Sequence, residues 1–183
     1  MSLLDCKDKF EDSYINTNGT DAVNMINNFY IPALSNSISY DRNAGYFSSA
    51  IFSITYQALG KFIKNGGKMR IICNEFLSQA DLEAGKKISN QDKILYDLEE
   101  LLQNPYKESK TKLLCTLIQE GVLEIKICWN SGQGIFHDKT GIFKDKDGSV
   151  ITFTGGINES LGGWTKNYDR ITLEQSFGTG RSK

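Results

Sequence analysis

The order of apolar and polar positions divides this chain into two stretches. Residues 17–120 alternate helical and extended patterns. A helix is expected over 21–30, with Thr20 as its cap and Pro32 interrupting it soon afterwards. SISYDRNAGYFSSAIF then reads as an extended run that turns at Ser48–Ser49 into a helix. That helix directs Ile51, Ile54, Leu59 and Phe62 inward and stops at Gly66–Gly67. KMRIICN follows as a short apolar strand.

Ser78 with Asp81 resembles a capping box, and the periodic, charged run 82–102 predicts one or two solvent-facing helices. A further helix over 110–120 ends at Gly121. From 123 to 177 the spacing shortens to that of strands. LEIKICW and GIFHDKTGIF alternate, KDKDGS turns through Asp147–Gly148, and VITFTGG and NYDRITLEQSF extend again. This order is βαβ-like, predicting an α/β protein with a layered mixed sheet and helices on both faces. We expect one domain over residues 1–177 and a disordered tail over 178–183, where GTGRSK carries no structural signal.

Composition changes this picture little, but it excludes several classes. A chain of 183 residues with 39% hydrophobic and 23% charged residues suits one ordinary globular domain. No apolar stretch is long enough for a membrane span, and MSLLDCKDKFED lacks a signal-peptide pattern, so a cytoplasmic protein is expected. Cys6, Cys73, Cys115 and Cys128 are scattered without a CxxC pair, and only one histidine is present, which argues against a metal site. No cofactor is expected. The formal charge of −1 means that any attraction for nucleic acid must be local. Lys61, Lys64, Lys68 and Arg70 could make a basic strip, though solvated surface is the commoner fate.

The chemistry concentrates in GIFHDKTGIFKDKDGSVITFTGGINESLGGWTKNYDRI. His137 and Lys139 stand two apart on an expected strand, so both project from one face. The hairpin would bring Gly155, Gly156 and Asn158 near them, and Asp169 follows Asn158 by eleven residues. These types suit a phosphodiester. Lys139 and the Asn158 amide can donate to non-bridging oxygens, and glycines allow close backbone approach. A neutral imidazole can attack phosphorus, and a carboxylate can orient it. Either Asp169 or Glu159 could take that orienting role. Arg42 and Tyr46, ahead of the first long helix, are candidates to line the cleft. Asn158 could instead cap the segment that follows, Asp145 and Asp147 suit the hairpin turn, and Trp129 and Trp164 suit core packing better than base stacking.

H-x-K followed by G-G-x-N and a later acid resembles the phospholipase D superfamily. YDRNAGYFSS and NGGKMRIICN also resemble the phospholipase-D-like domains of DNA helicases and some restriction endonucleases. The resemblance spans residues 28–171. It implies His137 as nucleophile, Lys139 and Asn158 as phosphate ligands, and Asp169 where single-motif nucleases carry an acid that holds the histidine. It also implies a phosphodiesterase or nuclease that needs no metal and works through a phosphohistidine. Two positions depart from the motif: Lys144 stands at its aspartate, and Gly156 at the serine of G-S-x-N.

The superfamily's reaction uses two histidines, and this chain has one and no repeat. If the chain is an intact unit, a homodimer sharing one site is expected. The expected partners are nucleic acid, a second copy, and a helicase or restriction-system domain, with no membrane. A catalytically weak nucleic-acid-binding module is the alternative. A lipid phosphodiesterase ranks behind both, since no interfacial anchor is visible.

Overall fold

The computed structural model describes residues 2–17, 20–75, 107–128 and 135–177. Seven strands form one mixed sheet: β1 (Ser13–Asn16), β2 (Ser39–Tyr46), β3 (Lys68–Glu75), β4 (Leu123–Ile127), β5 (Thr140–Lys144), β6 (Val150–Gly155) and β7 (Asp169–Gln175). Their order is β1-β7-β6-β5-β2-β3-β4. The pairs β2–β3 and β3–β4 are parallel and the rest antiparallel. The layered α/β architecture agrees with the alternation of patterns along the chain.

Helices α1 (Thr20–Met25) and α2 (Ile31–Ser35) flank a π-helical turn, Ile26–Tyr30. Here the expectation was an interruption at Pro32, and the helical path instead continues through it. Pro32 lies in the first turn of α2, the part of a helix that best tolerates a missing N–H, and the π-helical turn just before it accommodates the break in the ladder. Ser48 caps the next helix through its hydroxyl, which accepts from the Ala50 N–H. A short 3-10 turn (Ser49–Ile51) leads into α3 (Phe52–Lys64), and α4 (Lys107–Gln119) closes at Gly121, whose φ of +63° favours glycine. Ser78, Asp81, residues 82–102, Trp129 and the 178–183 tail lie outside the described residues.

Period-two alternation sends one side of each strand into a single core. Tyr40, Met69, Ile71, Phe143, Ile151, Phe153, Ile171 and Leu173 meet Phe29, Tyr30, Leu59, Phe62, Leu113 and Leu117 from the helices. Trp164 is buried among these aromatics, its ring tilted against Tyr30 with centroids 4.2 Å apart, so packing is its role. Opposite Arg42, Gly141 is required: a β-carbon there would meet the Phe153 ring at 2.0 Å.

The β5–β6 hairpin is the one expected, with Gly148 at φ +88°. Asp145 is buried and accepts from the N–H groups of Leu3, Asp147 and Ser149 at 2.9, 3.0 and 2.8 Å. Its carboxylate therefore closes the turn and fastens the amino-terminal segment to it. Among the described residues no helix is long and apolar enough to cross a membrane.

Candidate active site

His137 and Lys139 were expected on a strand; they lie just before one. β5 begins at Thr140. Side-chain bonds shape the approach. Asp138 accepts from Asn43 Nδ2 at 2.9 Å and from the Thr140 hydroxyl at 3.2 Å, and Lys139 Nζ donates to the His137 carbonyl at 3.0 Å. The expected convergence survives without strand geometry. A β-carbon built on Gly45 would lie 3.4 Å from His137 Cδ2, 3.6 Å from Lys139 Nζ and 3.3 Å from Asn158 Oδ1. Three side chains from two segments thus meet over one glycine of β2.

Gly45 was not singled out from the sequence. Its signal was a glycine inside an extended run, NAGYF, a position that often marks close approach of a ligand or another backbone. Tyr46, beside it, is exposed, and its N–H donates to Asn158 Oδ1 at 3.0 Å. That bond turns the Asn158 amide so that its NH2 is the group left to donate. The capping role open to Asn158 falls to Ser160, whose hydroxyl accepts from the Gly163 N–H at the start of α5 (Leu161–Thr165).

Arg42 and Glu159 need correction as substrate contacts. Both are buried, 2% and 1% exposed, because they pair with each other in the core, Nε to Oε2 at 2.9 Å. Glu159 also accepts from the hydroxyls of Tyr40 (3.0 Å) and Tyr30. Arg42 donates a second bond to the Ile157 carbonyl, and its guanidinium lies 4.8 Å from the centre of the Phe153 ring. A carboxylate so engaged is not available to the imidazole. The pair grips residues 157 and 159, on either side of Asn158, and so fixes the loop that carries the amide. Such bonds offset much of the cost of burying the two charges, although Arg42 Nη1 is buried without a hydrogen-bond partner.

Asp169 opens β7 and is half-buried. Its Oδ1 is 2.0 Å from where a Gly156 β-carbon would be. Among the described residues no hydrogen bond joins it to His137, whose ring is exposed. Burial raises the Asp169 carboxyl above its ordinary range, opposed by Lys139. Burial first, and then the Arg42 guanidinium, lower the Lys139 ammonium, while Asp169 and Asp138 pull it back up. Gly155 and Gly156 are exposed at the end of β6, where a β-carbon on Gly155 would meet the Arg170 carbonyl at 2.0 Å.

Lys61, Lys64, Lys68 and Arg70 are exposed, with Arg70 held by both Asp41 oxygens at 2.6 Å. Cys6, Cys73 and Cys115 are buried thiols, and burial raises Cys73 to about 11. Among the described residues no group of three His, Cys, Asp or Glu side chains could hold a metal ion.

No family model matches the sequence, and no curated protein does. Solved structures do resemble the fold. Phosphatidylserine synthase from Haemophilus influenzae aligns over 89% of this chain and 34% of its own, at 14% identity and a TM-score of 0.50. The H432N mutant of yeast tyrosyl-DNA phosphodiesterase aligns over 88% and 32%, at 8% identity and 0.50. This chain therefore spans about a third of either protein. Nuc from Salmonella typhimurium, a phospholipase D family member, aligns over 88% and 79%, at 17% identity and 0.46. At such identities the likeness concerns architecture alone: the chain shares its α/β fold with the synthase and the phosphodiesterase.

Proposed function

We propose that this protein is a phosphodiesterase, acting as a nuclease through a phosphohistidine, with a site completed by a second copy. The observation that carries this reading is the meeting of His137, Lys139 and Asn158 over Gly45. An imidazole nitrogen attacks phosphorus, forming an N–P bond as the bond to the leaving oxygen breaks. Lys139 Nζ and Asn158 Nδ2 donate to the non-bridging oxygens, where charge grows in the transition state. A second imidazole protonates the leaving oxygen and then draws a proton from the water that releases the enzyme. With one histidine in the chain, that ring comes from the partner copy. The exposure of His137 supports such sharing. No step requires a metal ion.

The test is cleavage of single- and double-stranded DNA and of RNA in excess EDTA, with His137→Ala alongside. Turnover should persist in EDTA and fall at least about 1,000-fold in the variant. Cleavage unaffected by the substitution would sink the reading, as would loss in EDTA alone. The acid-quenched enzyme should carry one labile phosphate per site.

A nucleic-acid-binding module is the second reading, favoured by the Asp169 carboxylate at the position where the superfamily's motif has a hydroxyl. Salt-dependent binding with no turnover under any condition would select it.

A further inference from the structure

Alternate residues of β2 are turned away from the core, and each of three in succession meets a different demand. Asp41 accepts from Arg70 through both oxygens at 2.6 Å. Asn43 donates from Nδ2 to Asp138 Oδ2 at 2.9 Å. Gly45 is bare, and the place its β-carbon would take is 3.4 Å from the His137 ring. The ladder between β2 and β5 ends at Arg42 and Gly141. Residues 135–139 have no regular structure, and β5 begins only at Thr140. From β6, the Gly155 N–H donates to the Lys139 carbonyl at 3.2 Å. Beyond that rung, side chains tie down the segment that carries the imidazole. Asp138 takes the Asn43 amide and, at 3.2 and 3.3 Å, the Thr140 hydroxyl, while Lys139 Nζ holds the His137 carbonyl at 3.0 Å.

We propose that Asn43 and Asp138 are positioning residues for His137, their bond holding the nucleophile's segment against β2 where the ladder has ended. The proposal rests on the phosphodiesterase reading, in which the His137 imidazole attacks phosphorus. Such attack needs the reacting atoms aligned and about 3–3.5 Å apart, and a misplacement of about 1 Å costs on the order of 100-fold. The His137 ring is exposed, so core packing does not set its place. The Asn43 bond sets it from the next residue, and an amide donating to a carboxylate is a charge-assisted bond, the stronger kind. β2 is a firm reference, since it lies inside the sheet between β5 and β3. Two positions on one side of that strand then register the segment. Asn43 grips Asp138, and Gly45, two residues on, leaves room beside the imidazole. The same bonds occupy the Asp138 carboxylate. Asn43 and Thr140 compete for its lone pairs with the Lys139 ammonium, whose N–H groups the phosphate requires.

The experiment measures kcat and KM for bis(p-nitrophenyl) phosphate in EDTA, and nitrogen-15 relaxation of the His137 backbone N–H, both on the full chain. The variants are Asn43→Leu, Asn43→Asp, and the exchange that combines Asn43→Asp with Asp138→Asn. Asn43→Leu removes the donor at similar size and adds no charge. Its kcat should fall about 10-fold or more, with KM within about twofold of wild type. The His137 N–H order parameter should drop from about 0.85, a rigid value, towards about 0.6. Asn43→Asp sets two carboxylates face to face and should be at least as impaired. The exchange restores an amide-to-carboxylate bond with its direction reversed and the pair's charge unchanged, so most of kcat and of the rigidity should return. An unchanged kcat in Asn43→Leu overturns the proposal, as does an exchange no better than Asn43→Asp alone. A wild type without His137-dependent turnover removes the phosphodiesterase reading instead, and the relaxation still decides whether this bond holds the segment.

Discussion

At the scale of single residues, the site is a set of side chains gathered where one is absent. Gly45 contributes space: a β-carbon there would lie within 3.6 Å of His137, Lys139 and Asn158 atoms, in the place that the proposed reading gives to a phosphate. Gly45→Val should therefore reduce turnover by about 100-fold or more, with little loss of stability, since β-branched residues suit strands. Steady-state kinetics beside thermal unfolding would separate the two effects; a large drop in melting temperature would contradict this account. Lys139 makes a prediction of its own. Burial and Arg42 lower its ammonium, so deprotonation removes a positive donor earlier than for an exposed lysine. The alkaline limb of kcat/KM should fall at lower pH than an exposed lysine would give and vanish in Lys139→Met, whose residual rate should be flat there.

At the scale of elements, the β5–β6 hairpin delivers both halves of the site, and Asp145 holds it. One buried carboxylate accepts three backbone N–H groups, two inside the turn and one from Leu3, far away in sequence. Asp145→Ala leaves those donors without their partner and should cost about 2–4 kcal/mol in urea unfolding. Asp145→Asn keeps one acceptor oxygen and should cost less. Equal stability of wild type and Asp145→Ala would show that water replaces the carboxylate. Lys144 precedes Asp145 at the end of β5, and it is Asp145 that secures the hairpin.

At the scale of the whole molecule, two charges are sunk in the core, and the loop bearing Asn158 hangs on them. Arg42 and Glu159 bind residues on both sides of that amide, and Tyr30 and Tyr40 complete the cluster. Both phenols are raised well above their ordinary value, chiefly by burial and then by Glu159. The sign follows directly: the unfolded chain releases these protons near pH 10 while the folded one retains them. Stability is then full below about pH 10 and is lost as pH rises beyond it. Melting temperatures should decline steeply above pH 10, and less steeply in Tyr40→Phe, which loses one titrating group. The same scale governs activity. A site shared between copies requires that turnover per chain fall on dilution, in step with the dimer fraction seen by analytical ultracentrifugation. Constant specific activity across a fully monomeric range would exclude the shared site.

Much was legible in one dimension because local rules wrote it. Alternation and punctuation place β2 to β7 and the two longer helices, since the chain's period decides which side of each element can be buried. The pairing of His137 and Lys139 with GGIN followed from hairpin arithmetic. What the sequence could not decide was the fate of charges. Whether Glu159 or Asp169 lies at the site depends on which is drawn into the core by Arg42, Tyr30 and Tyr40, residues more than a hundred positions away. Nor could it decide that Gly45 faces the imidazole, or that a carboxylate stands in place of a side chain at 156. Those are contacts between distant strands, and spacing along a chain carries no information about the space between them until the sheet has formed.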